Sequence, residues 1–225
     1  MIFSDKQVVV TGGTGALGSA VVTALLDAGA TVHVPAFEAA PVYTAHPSLH
    51  VTAGVDLTDE AAVTQFYGGI SGALWASIHV AGGFAMAPLL ETKLSDWQRM
   101  MTMNATTAFL CCREAVRAMD AGGRIVNVAA KPALHPVGGM VSYSVSKAAV
   151  ASLTVSLAEE LADQGIWVNA IVPSIMATEA NRAGMPDADH DRWPSVAEVA
   201  ETTVFLASPA NAVTRGALVP VYGRS

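Results

Sequence analysis

Two rhythms of apolar residues alternate along this chain. Short runs rich in Val, Ile and Leu end at glycine, proline or acidic punctuation, and between them lie longer alanine-rich segments with helical spacing. Gln7–Val10, Thr31–Val34, His50–Gly54, Ser77–Val80, Arg124–Val128, Ile166–Val172 and Ala217–Val221 read as seven strands. The first runs into a glycine-rich loop and then a helix that ends near Gly29, placed as its C-cap. Thr58 is expected to cap a helix opening on Asp59-Glu60, and Ser95-Asp96-Trp97-Gln98 to form a capping box for a long helix reaching about Met119. Another helix carries Tyr143 and Lys147 to about Ala162, and Ser195-Val196-Ala197-Glu198 caps one more that ends near Ser208. This alternation predicts an α/β fold, a doubly wound parallel sheet of about seven strands with helices on both faces. No repeat, linker or low-complexity tract interrupts it, so residues 1–225 read as a single domain.

Composition sharpens this picture. Hydrophobic residues make up 52% and charged residues 14%, and the latter is well below the usual quarter or so. So few charges imply apolar faces covered by other copies, hence a homo-oligomer, dimer or tetramer. A net charge of −7 with no run of Lys or Arg lacks the electrostatic footprint of a nucleic-acid binder. Cys111 and Cys112 are adjacent, in a position to neither staple a loop nor hold a metal, which fits a reducing cytoplasm. Val8–Leu26 carries no charge, but four glycines, three threonines and a serine break it, so it reads as strand, loop and helix rather than a membrane span. The first residues have no basic region before an apolar core, so no signal peptide is expected. The histidines at 33, 46, 50, 79, 135 and 190 lack metal-ligand spacing, and Asp187–Arg192 reads as a solvated loop, so no metal site is expected.

The candidate chemistry lies at the strand ends. In Thr11-Gly12-Gly13-Thr14-Gly15-Ala16-Leu17-Gly18, glycines 13, 15 and 18 fit Gly-x-Gly-x-x-Gly, and glycines 12, 15 and 18 fit Gly-x-x-Gly-x-x-Gly. Between a strand and a helix such a loop predicts a Rossmann-like dinucleotide site, with the pyrophosphate on backbone amides at the helix N-terminus. Glu38, about twenty residues on, would take the adenosine ribose, and with no cation beside it the lean is to NAD over NADP. Asp56 follows the third strand within reach of an adenine ring, and Ala81-Gly82-Gly83 leaves room for a flat cofactor after the fourth. Tyr143 and Lys147, four apart on a helix, share a face, where a lysine can lower the phenol's pKa and make a proton-transfer pair.

Taken in order, Thr11–Gly18, Asp56-Leu57, Ala81-Gly82, Asn104, Ile125–Val128, Tyr143-Ser144-Val145-Ser146-Lys147, Val168–Pro173, Thr178 and Gly216–Gly223 resemble the short-chain dehydrogenase/reductase family across essentially the whole chain. The resemblance implies an NAD(P)-dependent oxidoreductase with Tyr143 as proton donor or acceptor. Lys147 would hold the nicotinamide ribose, Asn104 a water of the proton relay, and Val172 or Pro173 with Thr178 the nicotinamide amide. Three positions depart from the family pattern. The serine expected thirteen residues before the tyrosine is Ala130, His79-Val80 replaces the usual Asn-Asn before Ala81-Gly82, and Ser174 replaces a glycine after the sixth strand.

A missing oxyanion donor typically costs about 3 kcal/mol, or around a hundredfold in rate. Ser142, Ser144 and Lys131 are the neighbours that could replace it. Val80-Ala81-Gly82-Gly83 with the absent serine also resembles the dihydropteridine reductase branch, which implies a quinonoid, pterin-like substrate that needs less polarisation. The expected function is therefore hydride transfer between nicotinamide and a small carbonyl, alcohol or quinonoid substrate. A dinucleotide-binding redox sensor or scaffold is the alternative. His135 is a candidate for the substrate loop, His79 reads as packing, and Ser174–Arg192 as a mobile cover in which Met176, Met185 and Trp193 offer apolar contacts.

Overall fold

The computed structural model of the chain describes residues 1–38 and 44–225. Its centre is a parallel sheet of seven strands: β1 (Gln7–Thr11), β2 (Thr31–Pro35), β3 (Leu49–Thr52), β4 (Leu74–His79), β5 (Gly123–Val128), β6 (Ile166–Pro173) and β7 (Leu218–Val221). They lie in the order β3-β2-β1-β4-β5-β6-β7. Strand order therefore reverses between β1 and β4, and in such a sheet the crevice beyond the strand carboxyl ends at that point is where ligands bind. Val8 to Thr11, Ala76 to His79 and Gly123 to Val128 are almost wholly buried, as strands covered on both faces must be.

Helices cover both faces. α1 (Ala16–Asp27) packs with α8 (Val196–Ala207) over one face, joining Val8, Val10, Val32, Ile78, Val126 and Ile171 in one core. On the other lie α2 (Glu60–Gly68), α4 (Thr107–Ala118) and α6 (Val141–Glu160), around Val9, Leu74, Ile125 and Val168. Among the described residues α6 is the one helix long and apolar enough to pass for a membrane span. Its Lys147, Val150, Ala151, Thr154 and Ala158 are instead buried, and the helix packs on β5 and β6.

Some local expectations change. β4 starts at Leu74, earlier than its pattern suggested, because the register with β1 shifts at Gln7/Val8 and Trp75 falls in the irregularity. Thr58 does not cap α2. One Asp56 oxygen takes both the amide and the hydroxyl of Thr58, at 2.8 and 2.7 Å, and Asp59 caps the helix by accepting from the Ala61 amide at 2.9 Å. Ser95 forms no capping box either, because α3 (Leu94–Met100) begins one residue earlier, after Lys93, and places Ser95 inside the first turn. Ser195 and Glu198 do form the reciprocal box expected for α8. The long helix predicted to Met119 is α3 and α4 joined by a π-helical turn, Met101–Thr106, with Asn104 inside it.

Candidate active site

The glycine loop takes its shape from contact distances. Gly12 has φ of +64°, and a side chain there would come within 2.7 Å of the Ala81 amide nitrogen at the end of β4. A Cβ on Gly18 would lie 2.0 Å from the Gly12 carbonyl oxygen. Glycines 12, 15 and 18 thus bring loop, β4 and α1 together, and Gly15 serves as N-cap without a side-chain bond. The first turn of α1 holds no acidic residue, so its free N–H groups and dipole favour an anion there.

Against this loop opens a cleft of about 500 Å³. It brings together Gly12, Thr14, Gly15, Ala16, Leu17, Gly18, Glu38, Asp56, Leu57, Ala81 and Gly82 from the predicted cofactor residues. Pro35, Phe37, Val55, Thr58, Val80, Met103 and Thr107 complete its wall, and motif reading had not singled them out for this role. Glu38 sits at the end away from β4, where the Thr14 hydroxyl donates to it at 3.3 Å. A glycine cradle that any Cβ would fill, beside an uncapped helix N-terminus, fits a dinucleotide. Gly83, Lys147, Pro173 and Thr178 lie outside the cleft wall. Pro173 ends β6, and the Thr178 hydroxyl oxygen accepts from the Asn181 amide at 3.1 Å as the cap of α7 (Glu179–Gly184).

Beyond Gly82 the site is held by one side chain. Asn104 takes the Gly83 amide on Oδ1 and gives Nδ2 to the Gly83 carbonyl, both at 3.0 Å. The same Nδ2 reaches the Ser146 hydroxyl at 3.0 Å, and Ser146 donates to the Tyr143 carbonyl at 2.8 Å. Asn104 therefore ties the loop after β4 to the helix of the candidate proton donor. The π-helical turn around it is a form often found at functional sites.

Lys147 is buried, and its ammonium donates to the Val128 carbonyl at 2.8 Å. A Cβ on Gly82 would lie 3.2 Å from its Nζ, so lysine and glycine loop meet. Burial lowers the Lys147 pKa to about 8. The expected depression of the tyrosine does not appear in this structure, since burial pushes Tyr143 up to about 12. Loss of solvent is the cause, and the Lys147 ammonium is spent on a carbonyl.

Ala130 is buried and precedes the short helix α5 (Lys131–Leu134). Lys131 turns to the chain end, donating to the Ser225 carbonyl at 3.2 Å above the Tyr222 ring, and so is not the missing donor. Ser142 and Ser144 are both buried on α6, and the Ser144 hydroxyl has no partner among the described residues. His135 lies edge-on to Tyr222 with ring centroids 6.4 Å apart.

His79 is more than packing. Its ring bonds Ser77 at 2.9 Å and Asn127 at 2.8 Å, extending a buried chain from Tyr67 to Thr154. Burial lowers its pKa to about 4. The expected cover, Ser174–Arg192, contains α7 and is anchored at its far end, where Arg192 and Arg224 exchange backbone and side-chain bonds. Within it the His190 ring donates to the Met185 carbonyl at 2.7 Å and lies against Trp193, 4.5 Å between centroids.

Comparison with known proteins agrees with this architecture. Residues 6–189 match the family model of the short chain dehydrogenase. Galactitol 2-dehydrogenase of Rhizobium johnstonii is 34% identical over 240 residues, covering 96% of this chain and 93% of its own. Cis-4-hydroxycyclohexanecarboxylate dehydrogenase of Sinomonas cyclohexanicum is 34% identical over 244 residues, covering 98% and 96%. Among solved structures, ElxO with NADP bound superposes with a TM-score of 0.89 at 25% identity, covering 97% of each chain. The chain belongs to the short-chain dehydrogenase family. It is an NAD(P)-dependent oxidoreductase built on a Rossmann-like sheet.

Proposed function

We propose that this enzyme moves a hydride between nicotinamide and a small carbonyl, alcohol or quinonoid substrate, with Tyr143 as proton donor and acceptor. The observation that carries this is the Asn104 frame, which joins the loop beside the glycine cradle to the backbone of Tyr143 through Ser146. A bound dinucleotide supplies the hydride. Gly12, Thr14, Gly15, Ala16, Leu17 and Gly18 hold its pyrophosphate, and Glu38, Asp56 and Leu57 its adenosine. Ala81, Gly82 and Gly83 floor the path to the nicotinamide, where Lys147, Pro173 and Thr178 stand. Tyr143 is uncharged at neutral pH, with its phenol pushed up to about 12, and so is loaded to protonate a carbonyl oxygen in the reducing direction. Lys147 keeps its ammonium beside Gly82, and Asn104 fixes the distance between loop and helix.

Glu38 in the cleft wall supports NAD, since a carboxylate there repels a 2′-phosphate. The NADP in ElxO makes the comparison of both cofactors the first assay. Ala130 supports a substrate that needs no hydroxyl to polarise it, as a quinonoid ring would be. Exposed Phe109, Val145 and Val155 on α4 and α6 support a homotetramer or dimer, built from the single domain of residues 1–225, and the free thiols of Cys111 and Cys112 fit the cytoplasm.

The deciding test is Tyr143→Phe, assayed with a panel of ketones, quinones and quinonoid dihydropterin. Turnover is expected to fall at least about a hundredfold while dinucleotide affinity stays within about twofold. A protein that binds dinucleotide but reduces nothing in wild-type form would be the sensor or scaffold instead.

A further inference from the structure

Phe84 follows Gly83 directly and sets its ring edge-to-face on Tyr143, with centroids 4.9 Å apart and planes at 77°. Its position is tightly determined. Asn104 holds both backbone polar groups of Gly83, and Ser146 connects that amide to the Tyr143 carbonyl, so both rings are mounted on one hydrogen-bonded frame. The rest of Phe84 faces outward, 56% exposed.

Two further apolar side chains on neighbouring segments are exposed. Met86 is 60% and Val137 52% exposed. The Ala87 amide donates to the Gly139 carbonyl at 2.8 Å, and a Cβ on Gly139 would meet Met86 Cε at 3.8 Å. The segment after β4 is thereby joined to the loop before α6. Ala130 puts a methyl where the family pattern places a hydroxyl, and the Lys131 ammonium is engaged with Ser225 and Tyr222. Scattered exposed apolar residues are ordinary, but exposed apolar side chains on two segments bonded together, one of them packed on a proton donor, point to a binding surface.

We infer that Phe84 is a specificity-determining residue, and that the site takes a cyclic ketone or secondary alcohol whose ring faces carry no hydroxyls, in preference to an open-chain polyol. This rests on the reading of Tyr143 as the proton donor. A ring laid on Phe84 and Met86 removes apolar surface from water while its exocyclic oxygen meets the Tyr143 phenol. A polyol would bring hydroxyls that must shed water against side chains offering them no hydrogen bond. In the oxidising direction the cyclic alcohol loses its carbinol hydrogen as hydride to NAD(P)⁺, giving NAD(P)H. Its hydroxyl proton passes to Tyr143 once the phenol has released its own proton to solvent, and the carbon becomes a ketone.

The test compares full-length wild type, Phe84→Ala, Phe84→Leu and Tyr143→Phe on cyclohexanol and galactitol, with NAD and NADP, measuring dinucleotide affinity on each. Wild type is expected to prefer cyclohexanol. Phe84→Ala should lower kcat/KM for it about tenfold, mainly through KM, and Phe84→Leu should recover most of that loss. Galactitol turnover and dinucleotide affinity should stay within about twofold. Preference for galactitol, no turnover of cyclohexanol, or an equal loss on both alcohols in Phe84→Ala overturns the assignment of Phe84 and leaves the role of Tyr143 standing. Wild-type turnover in Tyr143→Phe overturns that role, and the assignment of Phe84 with it.

Discussion

Lys147→Met should abolish turnover and yet make the cofactor-free protein more stable. The lysine is buried, and burial lowers its pKa from 10.5 to about 8, so at neutral pH the fold holds an ammonium it would rather keep neutral. At 1.36 kcal/mol per pKa unit, that depression corresponds to a penalty of about 3 kcal/mol. The bond to the Val128 carbonyl offsets part of it, and losing that bond costs the variant about 1 kcal/mol. The expected gain is about 2 kcal/mol, or a rise in melting temperature of about 4 to 8 °C for a chain of this size.

The sign of the pH dependence is fixed by the direction of the shift. Between pH 8 and 10.5 the unfolded chain binds the lysine proton more than the folded one, so wild-type stability rises with pH through that window. The penalty is full below pH 8, and the advantage of Lys147→Met should shrink as pH climbs to about 10. Thermal unfolding of both proteins at about pH 7, 8.5 and 10 decides the matter. A variant less stable at neutral pH, or an advantage that ignores pH, would refute the reasoning.

Three other changes probe separate parts of the site. Gly18→Ala puts a methyl 2.0 Å from the Gly12 carbonyl oxygen; it should cost about 1 to 3 kcal/mol in denaturant unfolding and abolish dinucleotide binding by titration. Glu38→Ser should lower the NAD over NADP preference in kcat/KM about tenfold by removing a like charge from the 2′-phosphate position, and an unchanged ratio would show that Glu38 takes no part. His79, lowered from 6.5 to about 4 by burial, should make the fold lose stability as pH falls through that interval, because the unfolded chain takes up that proton first. Urea midpoints at about pH 7 and 4.5 should therefore differ less in His79→Asn than in wild type.

Much of the architecture was legible because strands buried on both faces leave continuous runs of Val and Ile, as in Val8–Val10 and Val168–Val172. The glycine loop was legible for a related reason, since close approach of three backbones admits no other residue at Gly12 or Gly18. What stayed hidden depended on single residues competing for the same bond. Asp56 captures Thr58 and leaves the cap to Asp59, and because α3 already begins at Leu94, Ser95 falls within its first turn instead of at the cap position. Nothing in Met101-Thr102-Met103-Asn104 announces a π-helical turn, because it reflects how the helix packs rather than which residues it contains. The contact of Phe84 with Tyr143 joins segments far apart in sequence and carries no pattern at all.

Asn104 connects these observations. An unbroken α-helix would need only the expected run of residues to Met119, yet the helix departs from α geometry over Met101–Thr106, around the residue that grips Gly83 on both its polar groups. Such a turn leaves backbone bonds less regular, a cost that persists where surrounding contacts fix it. Those contacts are the bonds to Gly83 and Ser146, and through Ser146 to Tyr143. Gly82 lets the loop approach Asn104 closely, and the bonds of Asn104 to Gly83 and Ser146 hold that loop to the helix that carries the tyrosine. The spacing between the glycine loop and the backbone of Tyr143 is thus set by one amide, and the exposed face of Phe84, the residue after Gly83, is positioned by the same bonds.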